Sequence, residues 1–270
     1  MRSFPIESRS VATVAICFVA LLAVFLPIGC GGNGSENSGN ASDALPRGAE
    51  PVKLRPADFS VDIDNRYWPM RPGSRWVYRE ADGEGGVQRV VVAVTGRTKR
   101  IANGVKARVV RDVVSSDGQP VEVTSDWYAQ DGVGNLWYMG ESTAEYEKGK
   151  VATTAGSWEA GVDGAQPGIV VPANPTPGLS YRQEYYAGQA EDRAKVLSVE
   201  EQVEVPFGHF SNAMLTKDLT PLELRLLEYK LYAPGVGPVL TLDVSGASGR
   251  EELVSFTRGL VAESRAGVGS

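Results

Sequence analysis

One histidine and two cysteines stand among 270 residues, so chemistry built on imidazole or thiolate has almost no material. His209 would have to serve any Ser-His-Asp arrangement. Phe207 and Phe210 beside it read as a strand start, and no Gly-x-Ser-x-Gly elbow is present. A zinc centre takes three or four His, Cys or carboxylate ligands, more nitrogen and sulfur than this chain supplies. Phosphate-loop and dinucleotide signatures are absent. Carboxylates are plentiful. Glu141, Glu145, Glu147, Glu159 and Asp163 fall in one region, the raw material of a glycosidase pair, but their spacing sets no separation between two of them. Asp131, Asn135 and Asp163 lie in Gly-rich turns that could offer oxygen to calcium, although Asp-Gly turns form without metal. The net charge of −6 removes the basic footprint of a nucleic-acid binder. The residue types therefore predict no catalytic group, no metal and no cofactor.

The aromatics say more. Trp127-Tyr128 and Trp137-Tyr138 are adjacent pairs, and on a strand each pair puts one ring on either face. Cross-strand pairing can absorb such rings in a core. A cleft lined with them would instead take an apolar or glycan ligand. Trp127, Trp137, Tyr138, Trp158 and Tyr185 are the candidate ligand-binding residues on that reading.

These rings must be held by strands. Trp76 and Tyr78 alternate with Arg75, Val77 and Arg79, a period of two. A β-branched run, VQRVVVAVT, follows. Asn103-Gly104 is the strongest hairpin signal in the chain, and Ser115-Ser116-Asp117-Gly118 and Asp131–Asn135 mark further turns. Val121 and Val123 alternate with Glu122 and Thr124. In TPLELRLLEYK, Pro221 could open a helix, but Leu227, Tyr229 and Leu231 keep period two, so a loop entering a strand is preferred. About a dozen strands at short spacing and no amphipathic helix predict an all-β fold. The form is a single antiparallel domain, as a strongly curved sheet, an open barrel or a sandwich. The stretch from Ala160 to Gly178, with four prolines, reads as the longest irregular loop.

Residues 1–29 read as an export signal. Arg2 and Arg9 precede an uncharged apolar run from Val11 to Leu26. Gly29 then stands before Cys30, and a Gly-, Ser- and Asn-rich stretch follows. This junction resembles the lipobox of bacterial lipoproteins, which implies cleavage before Cys30 and lipid attachment to it. The pattern departs from the usual one in placing Pro27 and Ile28 between Leu26 and Gly29. An uncleaved membrane anchor and plain secretion are the alternatives. Cys17 lies inside the apolar run, so the folded part has no disulfide. Residues 30–60 are too poor in large apolar groups to offset their ordering entropy and read as a flexible tether. Residues 61–260 form the β domain and 261–270 a disordered tail.

Four segments carry a wider resemblance: YWPMRPGSRWVYR from Tyr67, DWYAQDGVGNLWYMGESTAEYEKGK from Asp126, the stretch opening GSWEAGVDGA at Gly156, and TKDLTPLELRLLEYKLYAPGVGPV from Thr216. They resemble an uncharacterised family of bacterial secreted proteins and lipoproteins. The resemblance implies an envelope location and an all-β domain, and it transfers no activity. That family usually carries His where Tyr229 precedes Lys230. Together these readings predict an exported, membrane-anchored lipoprotein of the cell envelope that binds an apolar or envelope-derived ligand. A carboxylate enzyme acting on surface glycans and a protein-interaction module are the rivals.

Overall fold

Strands of 11 to 14 residues, far longer than needed to cross a small core, dominate the chain. The computed structural model describes residues 45–81, 85–244 and 249–259. The export signal, Cys30, the first part of the tether and the 261–270 tail lie outside these residues. The first half contains β1 (Phe59–Ser60), β2 (Arg75–Ala81), β3 (Val87–Arg100), β4 (Lys106–Ser116), β5 (Gln119–Asp131), β6 (Leu136–Glu147), β7 (Lys150–Thr153) and β8 (Trp158–Glu159). The second contains β9 (Gln166–Val171), β10 (Ser180–Arg182), β11 (Glu184–Tyr185), β12 (Arg193–Val205), β13 (Gly208–Thr220), β14 (Glu223–Ala233), β15 (Gly237–Asp243) and β16 (Arg250–Thr257). One three-residue 3-10 turn, Pro56–Asp58, precedes them.

All pairings are antiparallel, and the strands form one sheet in the order β10, β12 to β16, then β2 to β6, β9 and β11. The two ends of that order are neighbours in the chain. Residues 180–182 pair with β12 and residues 184–185 with β9. A single short segment thus touches both edges and draws the sheet into a nearly closed barrel, which leaves little open strand edge to water. The all-β, antiparallel expectation holds, in its barrel form. The turn signals hold too. Asp117 and Gly118 both take positive φ (49° and 76°), as a two-residue hairpin turn requires. Asn103 accepts a hydrogen bond from the Val105 amide at 3.0 Å in the turn between β3 and β4.

Two boundaries need correction. Composition places residues 45–60 in the tether, yet they lie against the barrel: Pro46 is buried, and β1 pairs with the end of β5. Their anchor is Arg182, whose side chain is 1% exposed. Its guanidinium donates to the carbonyls of Gly48, Glu50 (2.8 Å) and Pro167 (2.9 Å), and its backbone amide donates to Pro46. Backbone groups of the segment find partners there, so low apolar content does not leave it loose. The Ala160–Gly178 loop likewise contains β9, with Gly168 and Ile169 buried. Arg182→Met should free residues 45–50 and cost about 3 kcal/mol, because buried carbonyls lose charged donors. New proteolytic cleavage before Pro51 and a lowered urea midpoint are the expected readouts.

Candidate functional site

Because side chains alternate along a strand, one face of every long strand points into the barrel. On β5 that face carries Glu122, Thr124, Asp126 and Tyr128. Glu122, Thr124 and Asp126 are buried, while Val121 and Val123 on the other face are half-exposed. Cross-strand pairing carries the inward face to β4, where Asp112 pairs with Thr124, and to β6, where Glu141 pairs with Asp126. A β-bulge on β6 completes the arrangement. Tyr128 pairs with Tyr138 while Asp126 pairs with Glu141, so three steps on β6 oppose two on β5. Tyr138 and Glu141 would face opposite ways on a regular strand, and the bulge turns both inward.

These groups line a cavity of about 230 Å³ inside the barrel. Its carboxylates are Asp112, Glu122, Asp126, Glu141, Glu184, Asp192 and Glu251, drawn from both halves of the sheet, and Lys230 is the one cationic side chain in its lining. Lys230 is already engaged outside the lining, with Asp218 (3.2 Å) and Glu228 (3.1 Å). Burial opposes its charge, but Glu228 and Asp218 more than offset that and hold its pKa well above the ordinary lysine value.

Aromatic rings form one wall. Trp68 lies against Tyr128 (centroids 5.6 Å apart) and Tyr232 (6.2 Å), Tyr128 stacks on Tyr138 (5.0 Å), and Tyr138 and Trp158 meet in a T-shaped pair (5.4 Å). Trp68 is delivered by a loop that Asn65 organises. The Asn65 side-chain oxygen accepts the amides of Tyr67 (2.9 Å) and Trp68 (3.3 Å), and its amide donates to Gly134 (2.9 Å). Gly237 leaves the room: a Cβ there would stand 2.5 Å from Trp68 Cδ1.

The electrostatics follow from crowding acids where water is scarce. Burial, above all, pushes Asp126 up to about 7 and Glu141 to about 8, with like charge from neighbouring carboxylates adding to it. Burial likewise raises Asp192 to about 7 and Glu251 to about 8. Asp112 and Glu184 also move well above the usual carboxylate range, by burial first and acidic neighbours second. The Tyr138 hydroxyl sits 2.8 Å from Asp126 Oδ1 and 2.9 Å from Glu141 Oε2. One phenol proton can be donated to only one of them, so the second contact needs a proton on the other carboxyl. Tyr138→Phe removes that bridge and should cost about 1 to 3 kcal/mol. A urea titration at pH 7 measures it, and Asp126→Asn in the same background should restore part of the loss.

Of the five ligand-binding candidates, Tyr138 lines the cavity and Trp158 supports it from behind. Trp127 and Trp137 point the other way. Trp127 lies under the Lys99 ammonium (4.3 Å), and Trp137 packs on Phe59 (5.9 Å) and donates to Asp131 Oδ2 (2.8 Å). Tyr185 pairs with Gln166 at the seam and is outside the lining. Among the carboxylates singled out, only Glu141 lines the cavity. Glu159 is paired with Lys99 (2.9 Å). The Asp131 carboxylate accepts from Val133, from both nitrogens of Asn135, and from Trp137. It caps its turn with oxygens that calcium would need. His209 is exposed at the start of β13.

Fold and site define a nearly closed antiparallel barrel with an acidic, aromatic interior. No protein-family model matches the chain. No curated protein matches it either. Among solved structures, a candidate lipoprotein from Parabacteroides distasonis superposes with a TM-score of 0.39 at 13% identity, over 72% of this chain and 99% of that one. A β-barrel-like protein of the domain of unknown function DUF1849 from Brucella abortus gives 0.34 at 16% identity, over 69% and 98%. Likeness at this level assigns neither protein's properties to this chain.

Proposed function

We propose that this chain is an exported envelope protein, fastened to a membrane through Cys30, whose barrel binds a small molecule in its interior. The observation that carries the binding role is the cavity of about 230 Å³, lined by polar groups whose burial is costly unless they meet a partner. The export and anchor rest on the uncharged run before Gly29-Cys30 and on the polar stretch after it. The expected apolar ligand is revised toward one that offers polar or charged atoms as well, since carboxylates and tyrosines share the wall. The glycosidase alternative meets a geometric obstacle. The Tyr138 hydroxyl lies between Asp126 and Glu141, where a glycosidic bond would have to sit between an acid and a nucleophile.

The test has two arms. Labelled palmitate should enter the full-length chain, and Cys30→Ala should abolish the label and release the protein from membranes. Native mass spectrometry of the full-length chain, incubated with envelope extract, should show a bound small molecule. A clean apo mass with every extract fraction refutes the binding role, and an unlabelled wild-type chain refutes the anchor.

A further inference from the structure

The lining chooses among ligands. Seven carboxylates line a space in which, among the described residues, the one cation, Lys230, is already paired with two carboxylates outside it. Glu184 comes from β11 at the seam, and Glu251 from β16, far round the sheet. Glu184 is 3% exposed; the Trp158 indole approaches its carboxylate, but its Oε2 makes no hydrogen bond of full geometry. Asp112 Oδ1 in the same lining is buried without a hydrogen-bond partner. Buried acceptors so poorly matched lack the donors that would offset their desolvation. Tyr128, Tyr138 and Tyr232 line the same space, and their rings give an alkyl chain an apolar surface to lie on. Among the described residues no three His, Cys, Asp or Glu side chains come close enough to hold a metal ion. The acids are spread around the cavity, which suits a ligand with extent rather than a bare ion.

Resting on the reading that the barrel binds a small molecule, we infer that the ligand is a compact organic cation. Its ammonium or amidinium group donates to Glu184 Oε2, and its alkyl part lies along the tyrosine wall. The carboxylates favour positive charge over neutral or anionic ligands of equal size.

Four-carbon probes isolate charge from size. Calorimetric titration of the full-length chain in non-ionic detergent should show putrescine binding at one site, at least tenfold more tightly than 1-butanol, with no binding of butyrate. Glu184→Gln should weaken putrescine at least tenfold, and Glu251→Gln, on a different strand, should also weaken it if Glu184→Gln fails to fold. If putrescine and 1-butylamine fail to bind, or if 1-butanol binds as well as they do, the inference is overturned. It is overturned too if the folded variants bind putrescine as the wild type does, since the cation then sits elsewhere. An envelope-extract adduct without cation binding would sink this inference while leaving the small-molecule reading intact. Absence of both would sink the two together.

Discussion

Gly140→Ala is expected to destabilise the barrel by about 4 kcal/mol, among the largest effects of a single added methyl group. Gly140 has φ of +122°, and a Cβ there would lie 2.3 Å from the Trp158 carbonyl oxygen and 2.9 Å from Glu159 Cα. Both obstacles are backbone, paired to β6 through β8, so no side chain can swing away. The collision falls within the bulge that turns Tyr138 and Glu141 to the same side. Relief requires either separating β8 from β6 or undoing the bulge, and the second course would drive Glu141 out of the cavity wall. Gly118→Ala is the control. Its φ is also positive, +76°, but nothing lies within 4 Å of the added carbon. It should show only the backbone cost of about 1 kcal/mol. A thermal melt lowered by roughly 10 °C for Gly140→Ala, and by about a quarter as much for Gly118→Ala, is the expected pair. Equal melting temperatures would show that β8 is not held against β6 as described.

The strands were legible because period two and turn chemistry are local. Trp76 and Tyr78 alternate with arginines and are both buried on one face, and Asp117-Gly118 turns the chain where its residue types demand. The polarity of the interior was not legible. On β5 the valines at 121 and 123 look like the core face, but they are half-exposed on the outside, and the acids between them point inward. Alternation tells which residues share a face and not which face is enclosed. That depends on closure at residues 180–185, a long-range event with no sequence signature. The position of Glu141 was hidden for a related reason. Its inward direction follows from a bulge, and a one-residue bulge inverts the expected side of everything beyond it. The one signal available was Gly140 within an otherwise strand-like LWYMGE, since a strand-interior glycine often marks a bulge or a close approach. Residues 45–60 carry no such signal because what holds them is their own backbone carbonyls, which every residue has, accepting from a single buried arginine 120 or more positions away.

The acidic interior should make the unliganded protein markedly less stable at pH 8.5 than at pH 5, against the usual rise of stability from acid toward neutral pH. The sign follows from proton linkage. Asp126, Glu141, Asp192 and Glu251 have folded-state pKa values near 7, 8, 7 and 8, above those of an unfolded chain. The folded state therefore holds more protons between about pH 4 and pH 8. Stability from these groups is complete below the unfolded values and is lost as pH rises through the folded ones. Neighbouring acids share protons, so their losses do not add in full; a net fall of about 4 kcal/mol between pH 5 and 8.5 is expected. Glu252 works in the other direction, its pKa lowered by Arg250 and Arg79. Its contribution is present above the unfolded value and lost as pH falls through the folded one, which sets the acid limb of the curve below about pH 4. An optimum close to pH 5 results. Replacing Asp126 by Asn and Glu141 by Gln together removes two of the titrating groups and should clearly reduce the slope between pH 5 and 8.5, with the double variant more stable than wild type at the upper end. Urea denaturation at half-unit pH steps measures both. A wild-type profile that is flat or rising across this window would mean that the cavity carboxylates are neither buried nor crowded in the way the barrel places them.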